Sequence, residues 1–126
     1  MPATPRLTKL AAFAAAALLV LTGCSSAPAV PVTGETTAVT VTVEGMRYIP
    51  DVIEVPVGNE LTVTFENTGT EMHDLVFANG KRSPHLAPGE SLVIEVGVVG
   101  EDLDGWCSVS NHRQMGMELV VRATGG

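Results

Sequence analysis

The chain predicts an all-β domain, a sandwich of about seven to eight short strands, carried behind an N-terminal leader. Three observations predict it. Apolar and polar residues alternate at a period of two along several runs, as in strands with one buried face. Gly, Pro and Asn punctuate those runs at short intervals. No stretch after Leu21 carries a persuasive helical repeat, which leaves a sandwich as the economical architecture.

The leader comes first. Arg6 and Lys9 precede residues 10–21, which are only Ala, Leu, Val and Phe. A basic start followed by a short apolar core describes a secretory signal. The run is shorter than the ~20 residues a membrane-spanning helix needs. Leu21-Thr22-Gly23-Cys24 resembles a bacterial lipobox, and that resemblance implies an acylated Cys24 as the first mature residue. The expected location is therefore the cell membrane, lipid-anchored on the extracytoplasmic side, periplasmic or cell-surface. The chain holds two cysteines, so a disulfide would have to join Cys24 to Cys107. Their separate chemistries argue against it. Residues 1–23 are read as the signal, 24–38 as a tether and 39–124 as the domain. The tether is Ser, Thr, Ala, Pro, Val and Gly with one charge, and residues 25–38 reach roughly 50 Å at full stretch.

The domain follows strand by strand. Val39-Thr40-Val41-Thr42-Val43 alternates strictly. Residues 52–55 form a second strand, ended by Pro56 and the Gly58-Asn59 turn. Leu61, Val63 and Phe65 share one face, with Thr62, Thr64 and Glu66 on the other. Residues 73–78 are read as the next strand, and 79–89 as a loop rich in Gly, Pro and charge. Leu92, Ile94, Val96 and Val98 are expected to point inward from the following strand. Residues 103–109 lead into the chemically richest run, and 117–122 close the domain with Leu119 and Val121 inward. Residues 45–50 and 100–104 are ambiguous. With few aromatics, Val, Leu and Ile must fill most of the core.

Charge narrows the partners. Removing residues 1–23 takes away two of the seven Lys/Arg and none of the fourteen Asp/Glu, leaving five against fourteen and a net charge of −9. Nucleic acid is an unsuitable partner, because phosphate binding needs a basic surface. An acidic domain instead attracts basic partners at low salt.

The run Trp106 through Met117 packs one thiol, one imidazole and two thioethers into a short stretch. Cys107 to His112 is a step of five, and His112 to Met117 another. Soft sulfur with imidazole suits copper, which takes a thiolate, two nitrogens and a weak axial thioether. The run supplies one imidazole; His73 is positioned to supply the second. Four protein ligands leave no open position, which favours a carrier over an enzyme.

This run resembles the copper loop of the cupredoxins, the small blue-copper electron carriers, and its Cys-x4-His-x4-Met spacing is most similar to rusticyanin. The resemblance extends to Phe65-Glu66-Asn67-Thr68-Gly69, to His73-Asp74 and to Leu86-Ala87-Pro88-Gly89-Glu90-Ser91, covering residues 39–122. It implies a Greek-key fold holding one type 1 copper ion, cycling between Cu(II) and Cu(I), with His73, Cys107, His112 and Met117 as ligands. Met117 is the favoured axial ligand; Met115, three residues beyond His112, is the alternative and otherwise apolar cover. In the family the second His shows its outer edge to solvent. Asp74 stands where many members carry Asn or Ser, and bracing the Cys loop or simple solvation are both open. Asn111 replaces a frequent Gly and is expected to tolerate a left-handed backbone. A two-copper centre needs a second Cys at the position Asn111 occupies. His85 is read as a non-ligand. Trp106, Met46 and Met72 are read as packing residues.

The implied function is a lipid-anchored, monomeric, single-electron carrier between redox proteins such as a respiratory oxidase, a reductase or a cytochrome. The alternative is an extracytoplasmic copper-binding or delivery protein, for which the loop's Met pair is the argument. A cysteine enzyme is the third class; Cys107 and His112 on one loop fit it poorly.

Overall fold

The computed structural model describes residues 30–125, together with Pro2 and Ala3. The rest of the predicted signal, and Cys24, lie outside the described residues. Alternation of side chains builds eight strands: β1 (Thr36–Glu44), β2 (Arg47–Ile49), β3 (Val52–Pro56), β4 (Glu60–Glu66), β5 (Val76–Phe77), β6 (Ser91–Val98), β7 (Leu103–Trp106) and β8 (Glu118–Thr124). They form two four-stranded sheets, ordered β2-β1-β4-β6 and β3-β8-β7-β5. β1 runs parallel to β4, with Val41 opposite Phe65. β3 runs parallel to β8, with Ile53 opposite Val121. Parallel neighbours cannot be joined by a hairpin, so the chain passes to the other sheet between them. The result is the Greek-key sandwich expected from the sequence.

The core lies between the sheets. Val41, Val63, Phe65 and Ile94 from one inner face meet Ile53, Val55, Leu119 and Val121 from the other, all buried. Full burial of each such side chain is worth about 1.5–3 kcal/mol against exposure. Tyr48 on β2 packs edge-on to Phe65, with ring centres 5.9 Å apart, and its hydroxyl donates to the Asp74 carbonyl. That bond ties the β1–β2 hairpin, ambiguous in the sequence, to the segment that carries His73.

Four expectations need correction. β1 begins at Thr36, inside the stretch read as tether. Thr36, Thr37 and Ala38 pair with Glu60, Leu61 and Thr62; ladder bonds need no apolar side chains, so composition hid them. Ahead of β1, the Thr33 amide donates to the Gly58 carbonyl at 3.0 Å, and a Cβ on Gly58 would collide with the Pro31 carbonyl. The chain thus joins the sandwich beside the turn that precedes β4.

The inward alternation of β6 breaks near its end. The β4–β6 register shifts between Leu61 and Thr62 and Gly97 has φ +99°, so Val98 faces outward and Val99 takes the core position. The strand read over 73–78 is only Val76–Phe77. Residues 79–89 are no open loop: Val76 bridges to Arg82 and His73 to Leu86, folding that stretch back beside the first predicted ligand.

Candidate metal centre

Each donor is held by a different device. β7 ends at Trp106 and delivers Cys107, whose amide donates to the Met117 carbonyl at 3.1 Å. The next turn closes when the His112 amide donates to Val109 at 3.1 Å. A single 3₁₀ turn follows, Arg113–Met115. The His112 carbonyl then accepts from the amides of Met115 and Met117, at 3.0 and 3.1 Å. Gly116, at φ +101°, adopts the left-handed conformation that lets the chain reverse into β8. The run therefore folds on itself.

His73 arrives from the other side. Its amide and carbonyl exchange bonds with Leu86 at 3.1 and 2.8 Å. The buried side chain of Asn67 donates to the Glu71 and Leu86 carbonyls, both at 2.8 Å, and accepts from the Gly69 amide at 3.0 Å. A Cβ on Gly69 would stand 3.2 Å from His73 Nε2, so glycine there leaves room for the ring.

The donors converge. Cys107 Sγ lies 3.6 Å from His112 Nδ1 and 3.9 Å from His73 Nδ1. The two imidazole centres are 5.0 Å apart. Ligand atoms of His73, Cys107 and His112 all lie within 4.8 Å of one another, and this is the group of metal-binding side chains gathered among the described residues. Met117, whose backbone bonds to both Cys107 and His112, is wholly buried, whereas Met115 is 55% exposed. Met115 is thus the less shielded donor of the two.

Burial shapes the ionisation. It pushes the Cys107 thiol up, against the backbone amides of Asp74 and Val109, which favour the thiolate. Burial, then the neighbouring His112, holds His73 below the usual histidine range. The His73 ring is thereby kept neutral, as metal ligation requires.

Around this group the structure sharpens several readings. Asp74 is fully buried rather than solvated. Its Oδ1 accepts from the Ser108 amide at 2.6 Å and its Oδ2 from the Ser108 hydroxyl, bracing the residue after Cys107. Arg82 Nη2 and His85 Nε2 approach the same Oδ2, at 3.3 and 3.4 Å. Nothing in the local sequence pattern brings Arg82, His85 or Ser108 to Asp74. The available signal was Asp74 itself, because a buried carboxylate needs a cation or donors close by.

Trp106 does not pack in the core: it is half-buried, with Arg113 Cζ 4.2 Å above its ring and Arg113 paired to Glu118 at 2.9 Å. Met72 is 46% exposed, while Met46 packs against the core. The left-handed residue before His112 is Ser110, at φ +48°, not Asn111.

The sequence pattern of the cupredoxin-like domain matches residues 12–100, and the chain belongs to that family. The match stops short of Cys107, so the thiol, second imidazole and thioether are located by the fold. No protein of curated function matches the chain in sequence. Among solved structures, auracyanin from the photosynthetic bacterium Roseiflexus castenholzii is 20% identical, with a TM-score of 0.62 over 73% of this chain and all (100%) of that one. Azurin from Methylomonas sp. strain J is 21% identical, with a TM-score of 0.57 over 72% of this chain and 98% of that one. The copper-containing nitrite reductase of Thermus scotoductus is 24% identical, with a TM-score of 0.55 over 71% of this chain but only 23% of that one. At these identities the likeness is one of fold.

Cupredoxins hold a single copper ion, and the residues here fit one. A thiolate, two neutral imidazoles and a thioether form the soft, mixed set that copper accepts in both oxidation states. Zinc sites draw on Cys, His and carboxylates, and a buried thioether is foreign to them.

Proposed function

We propose that the protein is a type 1 copper electron-transfer protein, tethered by lipid on Cys24 outside the cytoplasmic membrane and passing single electrons between redox proteins. The observation that carries this reading is the convergence of His73, Cys107 and His112, with Met117 buried on the same run. Copper would supply a one-electron couple, Cu(II)/Cu(I), in that shell. The chain's residues do the rest. Cys107, His73 and Met117 exclude water, which penalises the more charged state. The backbone bonds that lock the two ligand-bearing segments keep their geometry fixed, so little rearranges with each electron. His112, at 8% exposure against 1% for His73, is the imidazole nearer the surface and the natural point of contact for a partner. The acidic balance of the chain favours a basic partner surface, such as that of a cytochrome, oxidase or reductase.

Absorption and EPR spectra of the Cu(II)-loaded chain test this. An intense thiolate-to-copper band with narrow hyperfine splitting is expected; a colourless loaded protein defeats the reading.

Copper delivery is the second reading, and one observation favours it. Met72 and Met115, each close in sequence to a ligand histidine, are exposed at 46% and 55%, and thioethers attract Cu(I). Repeated oxidation and reduction without loss of metal supports the carrier. Release of Cu(I) to a competing thiolate chelator, faster in the wild type than in Met115→Leu, supports delivery.

A further inference from the structure

Asp74 places a carboxylate at 0% exposure directly beside the metal ligands. It follows the predicted ligand His73 directly in the chain. Its side chain takes two bonds from Ser108, the residue after Cys107. A fixed negative charge so near the centre stabilises the more positive oxidation state of any bound ion.

That charge is not left bare. Arg82 comes from the folded-back stretch 79–89 and puts Nη2 3.3 Å from Asp74 Oδ2 and 3.5 Å from Ser108 Oγ. His85, from the same stretch, puts Nε2 3.4 Å from Oδ2. Arg82 and His85 are each 51% exposed over a carboxylate that is wholly buried. The guanidinium keeps its positive charge at every accessible pH. A simple surface ion pair has both partners in water and matters little. Here one partner is inside, next to the metal thiol, and the cation closes it off from solvent.

We propose that Arg82 is a positioning residue that tunes the metal centre: its guanidinium caps the buried Asp74 carboxylate, and the pair sets how far that negative charge favours the oxidised ion. The inference rests on the copper reading above for its redox consequence, and on Arg82 and Asp74 alone for its electrostatic one. Removing the guanidinium leaves the carboxylate less compensated, with only Ser108 and His85 beside it, which favours Cu(II) and disfavours a free thiolate. Removing the carboxylate's charge does the reverse.

Two measurements on the full chain test this with Arg82→Gln, Arg82→Lys and Asp74→Asn. Voltammetry of the copper-loaded proteins reads the potential. It is expected to fall in R82Q, to return toward wild type in R82K and to rise in D74N. R82Q added to D74N should shift it less than R82Q alone. Ultraviolet thiolate absorbance of the metal-free proteins, followed as pH is raised, is the second measurement. Cys107 should ionise at higher pH in R82Q, with R82K restoring it. Equal shifts in R82Q and R82K, or a wild-type potential and thiolate profile in R82Q, overturn the proposal. The metal-free arm stands by itself, so a colourless wild type would sink the copper reading while the thiolate profile still decides the role of Arg82.

Discussion

The two halves of the metal centre are built in opposite ways. Cys107, His112 and Met117 sit on one short run that closes through its own backbone, with three amide bonds linking Cys107 to Met117, His112 to Val109 and Met117 to His112. His73 stands alone on the other half. It is held by residues distant in sequence: Leu86 through a bridge and Asn67 through three side-chain bonds. The first half carries its geometry in its spacing. The second borrows its geometry from the rest of the sandwich. Damage to the first half should therefore be chemical and local, and damage to the second should appear as lost stability as well.

The largest effect tests the first half. Cys107→Ser removes the thiolate and leaves the Cys107–Met117 backbone bond in place. Copper loading should then give no intense visible band, while thermal unfolding of the metal-free protein changes little. Visible absorption and calorimetry check the pair of outcomes.

Asn67→Ala probes the second half. It strands the Glu71 carbonyl and the Gly69 amide and takes one of the two donors of the Leu86 carbonyl, and a buried group left unpaired costs about 1–3 kcal/mol. A clear drop in denaturant midpoint is expected, together with weaker copper binding. A normal midpoint with weakened binding would mean that His73 is not held as described.

Smaller effects separate the two thioethers. Met117→Leu should keep copper and raise the potential, because a buried weak ligand is lost. Met115→Leu, at an exposed position, should move it little. Equal shifts by voltammetry would defeat the assignment of Met117.

The smallest effect is the pH response of the metal-free protein. His73 has a lowered folded value, so below its ordinary 6.5 the unfolded chain takes up a proton that the folded chain resists; stability falls toward acid. Cys107 has a raised folded value, so above its ordinary 9.0 the unfolded chain releases a proton that the folded chain keeps; stability falls toward alkali. Buried Tyr48, also raised, adds to the alkaline loss. Stability should be greatest between these limits. Urea midpoints across pH test it, and a midpoint that keeps rising through the alkaline limb would contradict the placement of Cys107.

The same contrast governs what could be read from the residues. Alternation in 39–43 and 61–65 gave the strands and their buried faces, since a period of two is a direct consequence of the pleat. The ligand run was legible because its chemistry is contiguous. What stayed hidden depends on long-range pairing. Thr36, Thr37 and Ala38 look like linker yet ladder onto β4. Arg82 and His85 lie in a polar loop, and only the bridges of Val76 and Leu86 bring them to Asp74. Trp106 looks like core by composition, and the cation of Arg113 makes its half-exposed place tolerable.

The seat of residues 30–33 beside Gly58 has a mechanical consequence. β4 runs from that turn to Asn67 near His73 and is seven residues long, so the two ends stand about 20 Å apart at strand rise. Whatever grips the beginning of the chain holds the molecule at its base. The buried His73 ring then lies near the far end of that strand, away from the attachment.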